Sequence, residues 1–170
     1  MIVATDRLIL RRFVEEDLLD LFEYLSDPEA VKFEPYRPMT LEEAGQELDQ
    51  RIASDEMIAV ELKSSGKMIG NVYLGKRKNN TLEIGFVFNR HYWNQGYALE
   101  SCKALIHEAF SSGITKVYAE CDPENQGSWK LLERLGFTRE AHLIKNTWFW
   151  RDEQGEPILK DTYVYSLVNR

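Results

Sequence analysis

The chain has 170 residues, and its 44% hydrophobic and 29% charged content is that of an ordinary folded protein, which excludes a disordered or fibrous chain. Its 21 Lys and Arg against 28 Asp and Glu leave a net charge of −7, unevenly spread: residues 1–60 hold 6 basic and 15 acidic side chains, residues 61–170 hold 15 and 13. This balance argues against broad nucleic-acid binding, which needs a basic surface. The acidic front half suits either a cationic partner or solvated helix faces. No window approaches the ~20 apolar residues of a membrane span. The opening Met1 to Arg7 lacks the basic-then-apolar pattern of a secretory signal. Cys102 and Cys121 make no disulfide framework, and no Cys or His pair has zinc-ligand spacing. The expectation is a cytoplasmic protein of one domain, residues 1–170, with no metal and no membrane or nucleic-acid partner.

In chain order, Arg7 to Phe13 reads as a strand with Leu8 and Leu10 on one face. Leu18, Leu21, Phe22 and Leu25 then recur at helical spacing behind three acids. Asp27-Pro28 breaks that helix, and Pro28 can open another short one. After a loop marked by Pro35 and Pro38, Thr40 caps an acidic helix, with Glu43 completing a capping box. Three strands follow as a meander, 57–63, 68–76 and 81–89, turned at Ser64 to Lys67 and at Asn79-Asn80. A helix opens near Gly96 with an apolar stripe through Cys102, Leu105 and Ile106, and ends at Gly113. Then come a strand, 116–121, a short helix, 128–135, and two strand-like runs around Gln154-Gly155. The order implies a mixed α/β (α+β) fold whose sheet is largely antiparallel with one parallel crossover.

Two strand–loop–helix junctions carry the chemistry. In Phe86 to Glu100 a strand ends, a polar loop follows and a helix opens on Gly96. The first turn of a helix has free N–H groups and a partial positive charge, and a glycine there lets a phosphate approach the main chain. Gly96 serves either that purpose or only the local turn. The segment is neither a Walker loop nor a dinucleotide fingerprint. In the second junction, Glu120 to Phe137, Asn125 stands where a helix cap belongs and Ser128 falls in the first turn.

Together the two junctions resemble the GNAT superfamily of acyl-CoA-dependent N-acetyltransferases. Trp93-Asn94-Gln95-Gly96-Tyr97-Ala98 is similar to that family's pyrophosphate loop, with Trp93 in place of the usual Gln or Arg and Asn94 where glycine is frequent. Asn125, Ser128, Gly136 and Phe137 resemble its Asn-x-x-Ala/Ser…Gly-Phe element. Thr5 to Arg11 and Glu83-Ile84-Gly85-Phe86 are similar to the ribosomal-protein N-terminal acetyltransferase (RimJ/RimL-type) subgroup.

The resemblance implies a GNAT-like sheet splayed between its fourth and fifth strands, 81–89 and 116–121. It implies that acetyl-CoA is the cosubstrate, its pantetheine arm pairing with the backbone at Phe86 and Phe88 and its pyrophosphate on the amides of Asn94 to Ala98. It also implies direct transfer to a primary amine, on a protein N-terminus or a small molecule, by a monomer or homodimer. The candidate base is Glu83, which interrupts an apolar run and points to the opposite sheet face; the other reading is an exposed strand glutamate. Many family members carry a tyrosine where this chain has Leu132, so Ser128 is the candidate partner of the leaving thiolate, or else only a turn residue. The competing function is a CoA-binding module without turnover.

Overall fold

Alternation along the strands decides which helices lie on which face of the sheet. The computed structural model describes residues 3–170, and Met1 and Ile2 lie outside the described residues. Among the described residues eight strands form one sheet: β1 (Val3–Ala4), β2 (Leu8–Arg11), β3 (Met57–Leu62), β4 (Met68–Arg77), β5 (Thr81–Phe88), β6 (Lys116–Cys121), β7 (Thr138–Thr147) and β8 (Lys160–Val168). Their spatial order is β1-β2-β3-β4-β5-β6-β8-β7. Every pairing is antiparallel except β5 with β6. The fold is the expected mixed α/β arrangement. Because the two-residue β1 adds a strand at the front, the strands expected as fourth and fifth are β5 and β6.

Helices α1 (Leu18–Leu25) and α2 (Leu41–Ala53) cover one face, and α3 (Tyr97–Ser111) and α4 (Gln126–Arg134) the other. On β5, Leu82, Ile84 and Phe88 pack with Cys102, Leu105 and Leu132 of α3 and α4. Val87 packs instead with Leu21, Tyr24 and Leu48 of α1 and α2. The period-2 pattern read from the sequence is this division of the core. A third contact type crosses the α1–α2 layer: the buried Arg51 guanidinium and the Tyr24 hydroxyl both donate to Asn71 Oδ1 on β4, at 3.0 and 2.7 Å.

The Thr40–Glu43 capping box forms, with the Glu43 N–H bonded to Thr40 Oγ1 (3.2 Å) and the Thr40 N–H to Glu43 Oε1 (3.0 Å). The short helix expected at Pro28 does not form; residues 27–34 make a pair of turns, closed by Val31 N–H to the Asp27 carbonyl and Glu34 N–H to the Val31 carbonyl. Pro35 explains this, since it supplies no N–H and disfavours helical geometry in the residue before it. Replacing Thr40 by Ala is expected to cost about 1 kcal/mol of stability. Replacing the fully buried Leu132 by Ala is expected to cost roughly 2–5 kcal/mol. Denaturant unfolding of the two variants measures both and checks their order.

Candidate functional site

The site begins where a pairing stops. β5 and β6 share only Thr81↔Lys116, Leu82↔Val117 and Glu83↔Tyr118, while each continues for its full length against its outer neighbour. Beyond Glu83 the two strands part. The Asn89 N–H bonds to the Ile69 carbonyl of β4 (2.8 Å). Backbone groups alternate sides along a strand, so those of Phe86 and Phe88 point into the split. The Phe88 ring is held against β4 at Gly70, where a Cβ would lie 2.6 Å from the ring, so only glycine fits there.

The loop after β5 is shaped by two left-handed residues, Asn94 (φ 59°) and Gly96 (φ 83°). Asparagine tolerates that region better than most residues, which answers the departure noted at position 94. Gly96 caps α3, so the first N–H groups of the helix, those of Tyr97 and Ala98 among them, face the loop's concave side. Trp93 lacks the donors of a Gln or Arg but uses its one, bonding Nε1–H to the Phe88 carbonyl (2.8 Å) and tying the loop to the end of β5. Arg7 pins the other side. Its Nη1 donates to the Gln95 carbonyl (2.9 Å), its Nε bonds Glu100 Oε1 (2.8 Å), and its guanidinium lies 4.2 Å from the Tyr97 ring centroid. Desolvation works against the Glu100 charge, but the Thr5 hydroxyl and Arg7 outweigh it and hold that carboxyl below its usual range. The one acid in the first turn of α3 is thus neutralised, and an anion approaching the loop meets free amides.

A cavity of about 700 Å³ joins these parts. Phe86, Phe88, Trp93, Asn94, Gly96, Tyr97, Ala98, Asn125 and Ser128 all line it; Gln95 sits in the same loop but does not. The α4 wall follows from its cap: Asn125 Oδ1 accepts from the Ser128 N–H (3.3 Å). The turn therefore uses the main chain of Ser128, and its hydroxyl is left for the cavity and the neighbouring Cys121 thiol. Three cations that the sequence reading passed over also line the cavity: Lys32, and Lys130 with Arg134, one turn apart on α4. Their four-residue spacing was the available signal.

Glu83 does not line the cavity; it lies in the paired part of β5, with Oε2 2.5 Å from Arg77 Nη2 and 3.3 Å from the Tyr118 hydroxyl. The Arg77 guanidinium holds that carboxylate at the closed end of the split. Leu132 is fully buried in the core, and its neighbour Leu131 faces the cavity. Six of the fifteen acids in the front half, Asp17, Asp20, Glu23, Asp27, Glu47 and Asp55, are each in an ion pair. Glu34, on the turn before Pro35, faces the cavity instead. Among the described residues no helix is long and apolar enough to cross a membrane.

Comparison with known proteins agrees with this geometry. The family model for the acetyltransferase (GNAT) domain matches residues 7–138. The uncharacterised N-acetyltransferase YnaD of Bacillus subtilis is 31% identical over 96% of this chain and 99% of its own length. A crystal structure of a GNAT-family acetyltransferase from Bacillus anthracis superimposes with a TM-score of 0.90 at 28% identity, covering 99% of each chain. The fold also matches that of RimL, a ribosomal L7/L12 α-N-protein acetyltransferase solved with coenzyme A, at a TM-score of 0.84 and 19% identity over 99% of this chain and 98% of that one.

Both thiols are poor nucleophiles in this setting. Burial pushes Cys102 up to about 12 and Cys121 up to about 11, the Ser128 hydroxyl only partly offsetting the latter. A raised pKa keeps the thiol protonated below it, so both are expected to react with iodoacetamide more slowly than a free cysteine at pH 8. Cys121, half-buried, should be modified before the fully buried Cys102 and faster as pH rises. Peptide mass mapping after timed alkylation checks the order; rapid labelling of Cys102 would contradict it.

Proposed function

The chain belongs to the GNAT family of acetyltransferases, and from that premise we propose that it is a single-domain, acetyl-CoA-dependent N-acetyltransferase acting on a primary amine. Transfer is direct, in a ternary complex, with no acyl-enzyme. The observation that carries this reading is the stretch of β5 backbone in the split that no strand pairs, Phe86 and the Phe88 N–H, with the Phe88 carbonyl held by Trp93, leading to the free amides that open α3. An extended amide-containing arm can add to such an edge as a strand does, and a pyrophosphate suits the helix N-terminus beyond it. Lys130 and Arg134 stand near enough to that path to take further phosphate charge. The coenzyme A held by the RimL structure supports the choice of cosubstrate.

Ser128 is assigned to the leaving thiolate. Ser128 lines the cavity and its hydroxyl bonds the Cys121 thiol, while its main-chain N–H serves the helix cap, so the side chain and the cap are separable. Asn125 acts through that cap. The acceptor is the amine of a protein N-terminus or of a small molecule. A CoA-binding module without turnover is the competing reading, and free-thiol release from acetyl-CoA with a panel of amines separates the two: amine-dependent thiol release is expected, and tight CoA binding without it would favour the module.

Ser128→Ala should lower kcat about tenfold or more while leaving the melting temperature nearly unchanged, because alanine keeps the N–H that bonds Asn125. A stability loss with normal kcat would make Ser128 structural. Gly96→Ala places a Cβ 3.2 Å from Arg7 Nη2 at a left-handed residue, a strain of about 1–2 kcal/mol. It should weaken CoA binding about tenfold by calorimetry in a protein that still folds; unchanged affinity would remove the pyrophosphate from this loop.

A further inference from the structure

A smaller recess of about 170 Å³ opens beside the cleft, between the turns that precede Pro35 and the loop carrying Trp150. Glu34 lines both spaces, as does Lys32, so the residue stands at the partition between the cleft and the recess. Among the described residues the Glu34 carboxyl has no hydrogen-bond or ion-pair partner, unlike Glu83, which is held by Arg77. The side chain is half-buried, whereas Glu29 and Glu124, the other acids on the cleft wall, are exposed to water.

Resting on the acetyl-transfer reading, we infer that Glu34 is the proton acceptor for the incoming amine, which enters by the recess as R–NH3+ and reaches the cleft as R–NH2. The Glu34 carboxylate takes one proton from the ammonium. The freed nitrogen lone pair forms the N–C bond to the acetyl carbonyl, and collapse of the adduct breaks the C–S bond. A second proton passes from the adduct nitrogen to the departing sulfur, with the Ser128 hydroxyl able to relay it. Glu34 then returns its proton to solvent. The sum is amine cation plus thioester giving amide, free thiol and one released proton.

The surroundings suit that duty. Burial pushes the Glu34 carboxyl up to about 7, against the opposing charge of Arg51. An α-amino group titrates near 8 and a lysine-like amine near 10.4. Transfer from them to Glu34 is uphill by about 1 and about 3 pH units; to an ordinary carboxyl near 4.3 it would be uphill by about 4 and 6. The gain is several hundredfold, on the order of what a positioned base contributes.

The charged groups that face Glu34 do not compete for this titration. From α2, Arg51 is already bonded to Glu47, and both belong to the network under the sheet. Tyr24 from α1 and Tyr36 from the same loop are pushed above their usual range by burial and stay neutral. Lys32 and Arg37 stand exposed at the rim, the latter stacked 4.1 Å from the Trp150 ring.

The test is the pH dependence of kcat/KM from pH 5.5 to 9 for wild type, Glu34→Gln and Glu34→Asp, using whichever panel amine gives thiol release, with CoA affinity measured in parallel. The wild type should lose activity below an apparent pKa of about 7. Glu34→Gln should lower kcat/KM by about 10²–10⁴ and abolish that limb, with CoA affinity within twofold. Glu34→Asp should keep the limb at reduced rate. A Glu34→Gln enzyme that stays within threefold of wild type, or keeps the limb near 7, overturns the assignment while leaving the transferase intact. A wild type that releases no thiol with any amine would strike the transferase reading itself.

Discussion

The parallel pairing of β5 with β6 lasts three residues, and the rest of the molecule is arranged around its ending. Both strands are fully committed on their outer sides, β5 to β4 and β6 to β8. Past Glu83 and Tyr118 neither can satisfy its inward backbone with the other. Unpaired strand backbone is costly where water is excluded, and an open edge invites another extended chain. Here the edge opens on the cleft, walled by α3 and α4 and by the turns of residues 29–34. That arrangement turns a gap in the sheet into a slot for a strand-like cosubstrate. The same parting brings the ends of β5 and β6, with the helices that follow them, to opposite sides of one cavity.

Two polar anchors keep the slot's walls in place. Arg7 joins the start of the chain to the loop before α3 through Gln95 and Glu100, and leaves the loop's own amides free. Beneath the other face, Arg51, Tyr24 and Asn71 tie α1 and α2 to β4 in a buried cluster. Removing one member of such a cluster leaves a buried polar group unpaired, at a cost of about 1–3 kcal/mol. The turns carrying Glu34 hang between α1 and α2, so this cluster also fixes where that carboxyl stands.

Much of this was legible in residue order. The capping box at Thr40, the glycine opening α3 and the Asn125 cap are local features, and each appears where spacing put it. The apolar alternation of β5 identified the right strand. What the residue order did not show was long-range: Glu83 stood out because it broke an apolar run, but its partner Arg77 lies six residues upstream, across a turn, where alternation says nothing of ion pairing. Glu34 gave no signal because the groups around it, Arg51 and the recess wall at Trp150, are distant in sequence. The run after Pro28 was read as a helix start, and Pro35 seven residues later cut it short. Local chemistry was readable from neighbours in sequence, whereas the groups that depend on burial were not.

The central claim is that the inward backbone of β5 and the amides opening α3 form one continuous binding edge for the cosubstrate. Amide hydrogen exchange with and without CoA tests it at single-residue resolution by NMR. The account predicts new protection at Phe86 and Phe88 together with Gly96, Tyr97 and Ala98, and little change at the already paired Gly85 and Val87. Protection confined to the loop, or appearing on β7 or β8 while β5 exchanges as before, would contradict it.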